Sequence, residues 1–297
     1  VGELNDILQR LEPSLGPLTG EPTRLEGGIT NRNFRVTLGG GEYVIRQPGK
    51  DTRLLGIDRD AERLANELAA GLGIAPAVAA AFEDCLVTRF ISCSQVGPGE
   101  IADRVEEIAR ALRSFHELPA QLPTSFSVPH LLAGYAAVVQ RRGGALPAAY
   151  AELLAVAAQI VAVLALGSPR PCHNDLLSGN IVRADDGRMM IVDWEYAGMG
   201  DPRFDLGNLS INNDFDDTDD ERLLLAYYGE APSDARRAAL KLMRVLSDAR
   251  EAAWGVVQSQ ISELDFDFEG YARKHVERLH AATGQPPFEE WLAAAAG

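Results

Sequence analysis

Apolar and polar residues alternate along the early part of the chain and recur at helical spacing along the rest. From Phe34 to Leu38 the two kinds of position alternate, Gly39-Gly40-Gly41 follows, and Glu42 to Gln47 alternates again. That pattern predicts a β-hairpin. Asp58 stands as an N-cap ahead of Ala61, Leu64, Ala65, Leu68 and Leu72. Their spacing predicts a helix over 59–72, which Gly73-Ile74-Ala75-Pro76 ends. A further strand over 86–91 leads into Ser92-Cys93-Ser94-Gln95-Val96-Gly97-Pro98-Gly99, a composition suited to a hinge. The first ninety residues therefore read as strands with one helix. Beyond them Val105, Ile108, Leu112 and Phe115 predict a helix over 102–118, and others are expected over 149–166, 219–229, 234–262 and 269–282. The expected class is α+β, with a small β-rich lobe over 1–91 and a larger helical lobe over 92–297.

The densest chemistry falls in the second lobe. His173-Asn174-Asp175-Leu176-Leu177-Ser178-Gly179-Asn180 is followed by Ile191-Val192-Asp193-Trp194-Glu195. Ile181-Val182-Arg183, the turn 184–187 and Arg188 to Val192 predict a hairpin between the two motifs, which folds Asn180 back beside Asp193. An Asp, an Asn and a second Asp at this spacing suit phosphoryl transfer from ATP with Mg²⁺. Asp175 takes or orients the acceptor's hydroxyl proton, and Asn180 and Asp193 hold the metal. A two-lobed kinase architecture is the matching expectation.

Composition narrows the partners. The chain has 297 residues, 46% apolar and 24% charged, enough for a substantial core. Its formal charge of −15 argues against nucleic acid or an anionic membrane surface as the main partner and favours a cationic small molecule. The first twenty residues lack an apolar signal segment. The most apolar stretch, Leu153 to Leu166, is short, rich in Ala and interrupted by Gln159, so a buried helix is expected there rather than a membrane span. Three cysteines without metal-ligand spacing suit a reducing cytoplasm, and Cys172 is expected as a small buried filler. Composition leaves a monomer and a homodimer equally open.

On the nucleotide side, Gly27-Gly28-Ile29-Thr30-Asn31-Arg32-Asn33 precedes the first hairpin strand. Adjacent glycines let backbone amides approach phosphates, and Thr30 and Asn31 add donors. Arg46, in Tyr43-Val44-Ile45-Arg46, is a cation on an apolar strand and needs an anionic partner. Glu62 is the expected one and Glu67 the alternative, giving an Arg–Glu pair that clamps phosphates. The backbone from Thr88 through Arg89, Phe90 and Ile91 is expected to hold adenine.

These pieces together resemble the choline/ethanolamine kinase branch of the protein-kinase-like and aminoglycoside-phosphotransferase-like superfamily, over nearly the whole chain. Gly27 to Asn31 resembles its nucleotide loop, and Arg46 stands where that branch often has Arg. His173 to Asn180 resembles its catalytic loop, Asp193-Trp194-Glu195-Tyr196 its metal-binding segment, and Phe204-Asp205-Leu206-Gly207-Asn208 the element that anchors the loop. Trp254-Gly255-Val256-Val257-Gln258 with Ile261-Ser262 and Tyr271 resembles the region that walls in a quaternary ammonium. The resemblance implies a pocket for the cation formed by Trp254, Tyr271 and Tyr196, in line with recognition by π-faces and carboxylates. It also implies that Glu195 assists at a second metal or at the acceptor's cation, and that His173 braces the loop.

Two positions depart from that pattern. Glu251 stands where eukaryotic members place a further cage Trp, and Asn212 where they place a pocket carboxylate. One reading is a relocated carboxylate at Glu251, which accepts N–H bonds from a primary ammonium and makes ethanolamine a serious competitor of choline. The other is a Glu251 turned to solvent. The acidic run Asn213 to Glu221 reads as a solvated loop capping the next helix. Alternative readings of the whole are another small-molecule kinase, acting on an aminoglycoside, thiamine or other metabolite, and a nucleotide-binding pseudokinase.

Overall fold

The computed structural model describes residues 2–25, 31–49, 51–164 and 167–296. The first lobe comprises helix α1 (Gly2–Leu15), strands β1 (Leu18–Leu25), β2 (Asn31–Leu38) and β3 (Gly41–Pro48), helix α2 (Arg59–Gly71), and strands β4 (Val78–Phe82) and β5 (Cys85–Arg89). The strands form one antiparallel sheet in the order β1-β2-β3-β5-β4. The expected hairpin is β2–β3, in register from Leu38↔Gly41 to Asn31↔Pro48. One face of the sheet, with Val36, Leu38, Tyr43, Ile45 and Val87, buries Ile7, Leu8 and Leu11 of α1. The sequence reading had one helix in this lobe, and α1 corrects it: Leu4, Ile7, Leu8, Leu11 and Leu15 have helical spacing that Pro13 obscures. Asp58 caps α2 as expected, accepting a hydrogen bond from the Ala61 amide at 2.9 Å. Ala65 and Ala69 of α2 pack into the core of the second lobe, and this orientation carries Glu62 toward the interlobe cleft.

The second lobe begins with β6 (Cys93–Gln95), α3 (Pro98–Asp103), α4 (Val105–His116), α5 (Val128–Arg141) and α6 (Tyr150–Val163). Four short strands follow: β7 (Arg170–Cys172), β8 (Ile181–Ala184), β9 (Met189–Ile191) and β10 (Gly198–Gly200). It closes with α7 (Pro202–Asn212), α8 (Asp217–Tyr228), α9 (Asp234–Ile261), α10 (Phe268–Thr283) and α11 (Pro287–Ala295). Several sequence expectations are corrected here. The strand over 86–91 ends at Arg89. The hinge contains β6, which pairs with β8 and adds an edge to the β8–β9 hairpin. The helix over 102–118 breaks at Arg104, whose φ of −110° and ψ of 18° leave the helical region; its Nη2 instead donates to the Gly187 carbonyl at 3.0 Å. Helices α5 and α11 are additions, disguised by Pro129, Gly134 and a short final run. The acidic loop behaves as read: Asp216 caps α8, accepting from the Thr218 and Asp219 amides.

Helix α9 is the axis of this lobe. It packs against α5, α6, α7, α10 and α11, and nearly every residue from Ala238 to Gln258 is buried. A core helix ought to be apolar all round, yet α9 buries Asp248, Arg250 and Glu251. Buried charges survive only when paired: Arg250 and Glu251 pair with each other beside the interlobe cavity, and Asp248 pairs with His275 and Arg278. Helix α7 lies so close to α9 that a Cβ on Gly207 would sit 2.6 Å from the Met243 carbonyl carbon. Among the described residues no helix is long and apolar enough to cross a membrane.

Backbone cannot yield as a side-chain tip does, so Gly207→Ala should destabilise the protein by about 1–3 kcal/mol through overpacking. Urea unfolding measures this, and an unchanged midpoint would contradict the α7–α9 contact.

Candidate functional site

The loop from His173 to Asn180 leaves β7 in a conformation its own backbone does not favour: Asn174 has φ 67°. Asp205 of α7 compensates. Its carboxylate, fully buried, accepts the His173 amide at 2.8 Å and the Asn174 amide at 2.6 Å, and faces His116 Nε2 at 2.9 Å. Burial pushes this carboxyl up, but the His116 contact and these donors outweigh it and hold it below the usual range. Asn208 and Asn213 extend the grip, accepting the Leu176 amide and donating to the Leu176 carbonyl. His173 accepts the Asp175 amide at Nδ1, at 3.2 Å, so Nε2 carries the proton and donates to the Val192 carbonyl at 3.1 Å. Burial pushes its imidazole down to about 4, so it is neutral here. Its contacts are those of a brace.

The hairpin β8–β9 brings Asn180 and Asp193 together, with the Val192 amide donating to the Asn180 carbonyl at 2.9 Å. Asn180 Nδ2 donates to the Asp175 carbonyl at 2.8 Å and to Asp175 Oδ2 at 3.1 Å. Those bonds commit the amide nitrogen and leave the oxygen as the available donor atom for a cation. From the other lobe, Arg46 Nη1 donates to Glu62 Oε1 at 2.6 Å and to Asp193 Oδ1 at 2.7 Å. Glu67 pairs with Arg63 instead. Arg59 joins Glu62 at 2.5 Å, and Asn31 Nδ2 donates to Glu195 Oε2 at 2.9 Å. Burial pushes Glu195 up to about 7, and nearby Asp193 adds to it. Asp193 is raised by burial in the same way.

At the far end Trp254 Nε1 donates to the Tyr196 hydroxyl at 2.8 Å, and the Trp254 and Tyr271 rings meet edge to face at 5.4 Å. The expected aromatic trio is thus assembled, around a residue the sequence reading missed. Arg250 Nη1 donates to Asp175 Oδ1 at 2.9 Å and to Glu251 Oε1 at 2.5 Å, and its guanidinium lies 4.3 Å from the Tyr196 ring centroid. Burial pushes Asp175 up to about 7, Arg250 opposes that, and Glu251 adds to it. Glu251, only 1% exposed, does not turn to solvent. Nor does it offer a bare carboxylate, since Tyr271 donates to its Oε2 at 2.7 Å. An Arg-Glu pair flanked by Ala249, Ala252 and Ala253 was the available signal. Asn212, at the end of α7, accepts from Arg278 at 3.3 Å.

One cavity of about 800 Å³ runs between the lobes and joins these groups to Thr88, Arg89, Phe90 and Ile91. The Arg89 side chain lies over Tyr43, and Phe90 lies under Arg35. Their amides are engaged by the Ala77 and Glu42 carbonyls. Thr30, with Gly27, Gly28 and Ile29, lies outside the described residues.

Residues 21–242 match the model of the phosphotransferase enzyme family. Ethanolamine kinase 2 of Mus musculus is 26% identical, over 90% of this chain and 77% of its own length. Protein LicA of Haemophilus influenzae is 26% identical, over 84% of this chain and 76% of its own. The crystal structure of a choline/ethanolamine kinase family protein from Mesorhizobium loti superposes with a TM-score of 0.82 at 31% identity, covering 99% of both chains.

His173 gives a pH prediction. Its unfolded side chain takes up a proton near pH ~6.5, whereas the folded one resists until about 4. The unfolded state therefore binds more protons between those values, and the stability His173 contributes, full above ~6.5, is lost as pH falls to about 4. Urea unfolding should show a smaller acid loss in His173→Gln than in wild type over that window. Parallel curves would contradict the neutral, buried imidazole.

Proposed function

The chain belongs to the phosphotransferase enzyme family, in its choline/ethanolamine kinase branch, and from that premise we propose that it transfers the γ-phosphoryl group of ATP, with Mg²⁺, to the hydroxyl of a small amino alcohol such as ethanolamine or choline. It is a phosphotransferase with an alcohol group as acceptor. The observation that carries the finer reading is the convergence of Asp175, Asn180 and Asp193 at one wall of the interlobe cavity, with Arg46 reaching them from the opposite lobe.

Asp175 receives the acceptor hydroxyl. Its carboxylate, drawn toward protonation by burial, is suited to take the proton as the hydroxyl oxygen attacks the γ-phosphorus and the bond to ADP breaks. Asn180, Asp193 and Glu195 offer only hard oxygen donors, which fits Mg²⁺. Burial raises both carboxylates and neighbouring acids add to it, so a divalent cation bound between them would favour their ionised forms. Magnesium held there would neutralise phosphate charge. Arg46, anchored by Glu62, meets the phosphates in this reading, and Thr30 and Asn31 are proposed as further donors to them. With the amides of Arg89 and Phe90 engaged, adenine is read as bonding the backbone at Ile91. Tyr196, Trp254 and Tyr271 wall the acceptor end, with Glu251 and Asn212 behind them. A cytoplasmic location and a monomeric or homodimeric state belong to the same proposal.

In a coupled ADP-release assay with ATP, Mg²⁺ and either amino alcohol, Asp175→Ala should lower kcat by about 10²- to 10⁴-fold. Asp193→Ala should remove most turnover, with a native circular-dichroism spectrum in both variants. Turnover near wild type in either one sinks the assignment.

A further inference from the structure

Asp205 fixes the backbone of the catalytic loop, but two other side chains set the direction of the Asp175 carboxylate. Asn180 Nδ2 reaches Oδ2 at 3.1 Å and is shared with the Asp175 carbonyl at 2.8 Å. Arg250 Nη1 reaches Oδ1 at 2.9 Å, from a position 75 residues further along the chain. A hydrogen bond between opposite charges is the stronger kind, so Arg250 is the firmer of the two restraints.

Arg250 is itself held from two directions. Its Nη1 also donates to Glu251 Oε1 at 2.5 Å, and Tyr271 donates to the other oxygen of Glu251 at 2.7 Å. Its guanidinium lies 4.3 Å from the centroid of the Tyr196 ring, whose hydroxyl accepts from Trp254 Nε1 at 2.8 Å. One buried chain of contacts, Tyr271–Glu251–Arg250–Asp175, therefore joins the aromatic end of the cavity to the reacting carboxylate.

Stability does not account for this arrangement. Apolar residues of similar volume often stabilise a core as well as a buried ion pair does, or better. Arg250 is a costly case, because Nε and Nη2 are buried and have no hydrogen-bond partner among the described residues. Both of its ion pairs run through Nη1 to carboxylates, and one of these is Asp175.

We propose that Arg250 is a positioning residue for phosphoryl transfer: it holds the Asp175 carboxylate in the orientation that meets the acceptor hydroxyl, and Glu251 with Tyr271 holds Arg250. Glu251 then serves the guanidinium and not the acceptor's cation. The inference rests on the phosphotransferase reading above, in which Asp175 receives the hydroxyl, and adds the group that orients it.

The test uses the full chain with ATP and Mg²⁺, ethanolamine and choline as acceptors, and ADP release. Arg250→Gln should lower kcat by about 10- to 100-fold, the loss expected of a misdirected reacting group. KM for ATP and for the acceptor should stay within about twofold of wild type. Arg250→Lys keeps the charge without the planar fork and should recover at least about threefold of the loss. Once Asp175 is gone there is nothing left to orient. Arg250→Gln added to Asp175→Ala should therefore lower the residual rate by no more than about twofold. Tyr271→Phe removes one hydroxyl and keeps the ring, so it carries the test where the buried variant folds poorly. It should lower kcat by about two- to fivefold at unchanged acceptor KM. An unchanged kcat in Arg250→Gln or Tyr271→Phe overturns the positioning role and leaves the phosphotransferase reading standing. A loss confined to KM, or one that adds in full to that of Asp175→Ala, does the same. Near wild-type turnover in Asp175→Ala contradicts both.

Discussion

The carboxylate of Asp205 is the point on which the site hangs. A buried anion is tolerated only with several donors around it, and Asp205 obtains them from two consecutive amides of the catalytic loop and from His116. Satisfying the anion therefore fixes the backbone of His173 and Asn174, including the left-handed turn that aims Asp175 into the cleft. Asn208, one turn further along α7, takes the Leu176 amide by the same logic. Helix α7 is in turn pressed onto α9 at Gly207. Because Arg250 and Glu251 project from α9, and Arg250 bonds Asp175, the Asp175 carboxylate and the aromatic end of the cavity are tied together through one helix–helix contact.

A second set of buried charges joins the lobes. Arg46 on the sheet bonds at once to Glu62 on α2 and to Asp193 on the catalytic hairpin. These groups sit in a cleft with more carboxylates than cations, and burial, with the neighbouring carboxylates adding to it, lifts Asp175 and Glu195 to about 7. Such a cleft is poorly satisfied by itself and well suited to incoming phosphates with their metal. In the proposed reaction the roles are ordered in space, with the sheet meeting the nucleotide, the hairpin holding the metal, and α9 and α10 walling the acceptor.

Short-range patterns made the core of the site legible. The spacing from Asp175 to Asn180 and the hairpin that returns Asp193 are local, so residue types and turn signals sufficed. Arg46 with Glu62 was legible for a different reason: a lone cation on an apolar strand demands a partner, and the next helix supplied one. What escaped depended on tertiary context. Pro13, Pro129 and Gly134 masked helices whose stability comes from the faces they bury. The hinge drew a strand from its pairing with β8, a partner almost ninety residues away in sequence. Arg250 looked like one of several arginines on a helix of mixed composition. Only the fold shows that its side is the inner one, and that Glu251 beside it is therefore engaged.

The proposed reaction is direct transfer of a phosphoryl group from nucleotide to a small hydroxyl acceptor at Asp175. The most direct measurement is ³¹P NMR of the full chain incubated with ATP, Mg²⁺ and a mixture of small amino alcohols. Growth of a phosphomonoester resonance in step with ADP, and without matching inorganic phosphate, is the predicted result. ADP accompanied only by inorganic phosphate, or an unchanged ATP spectrum, would contradict it.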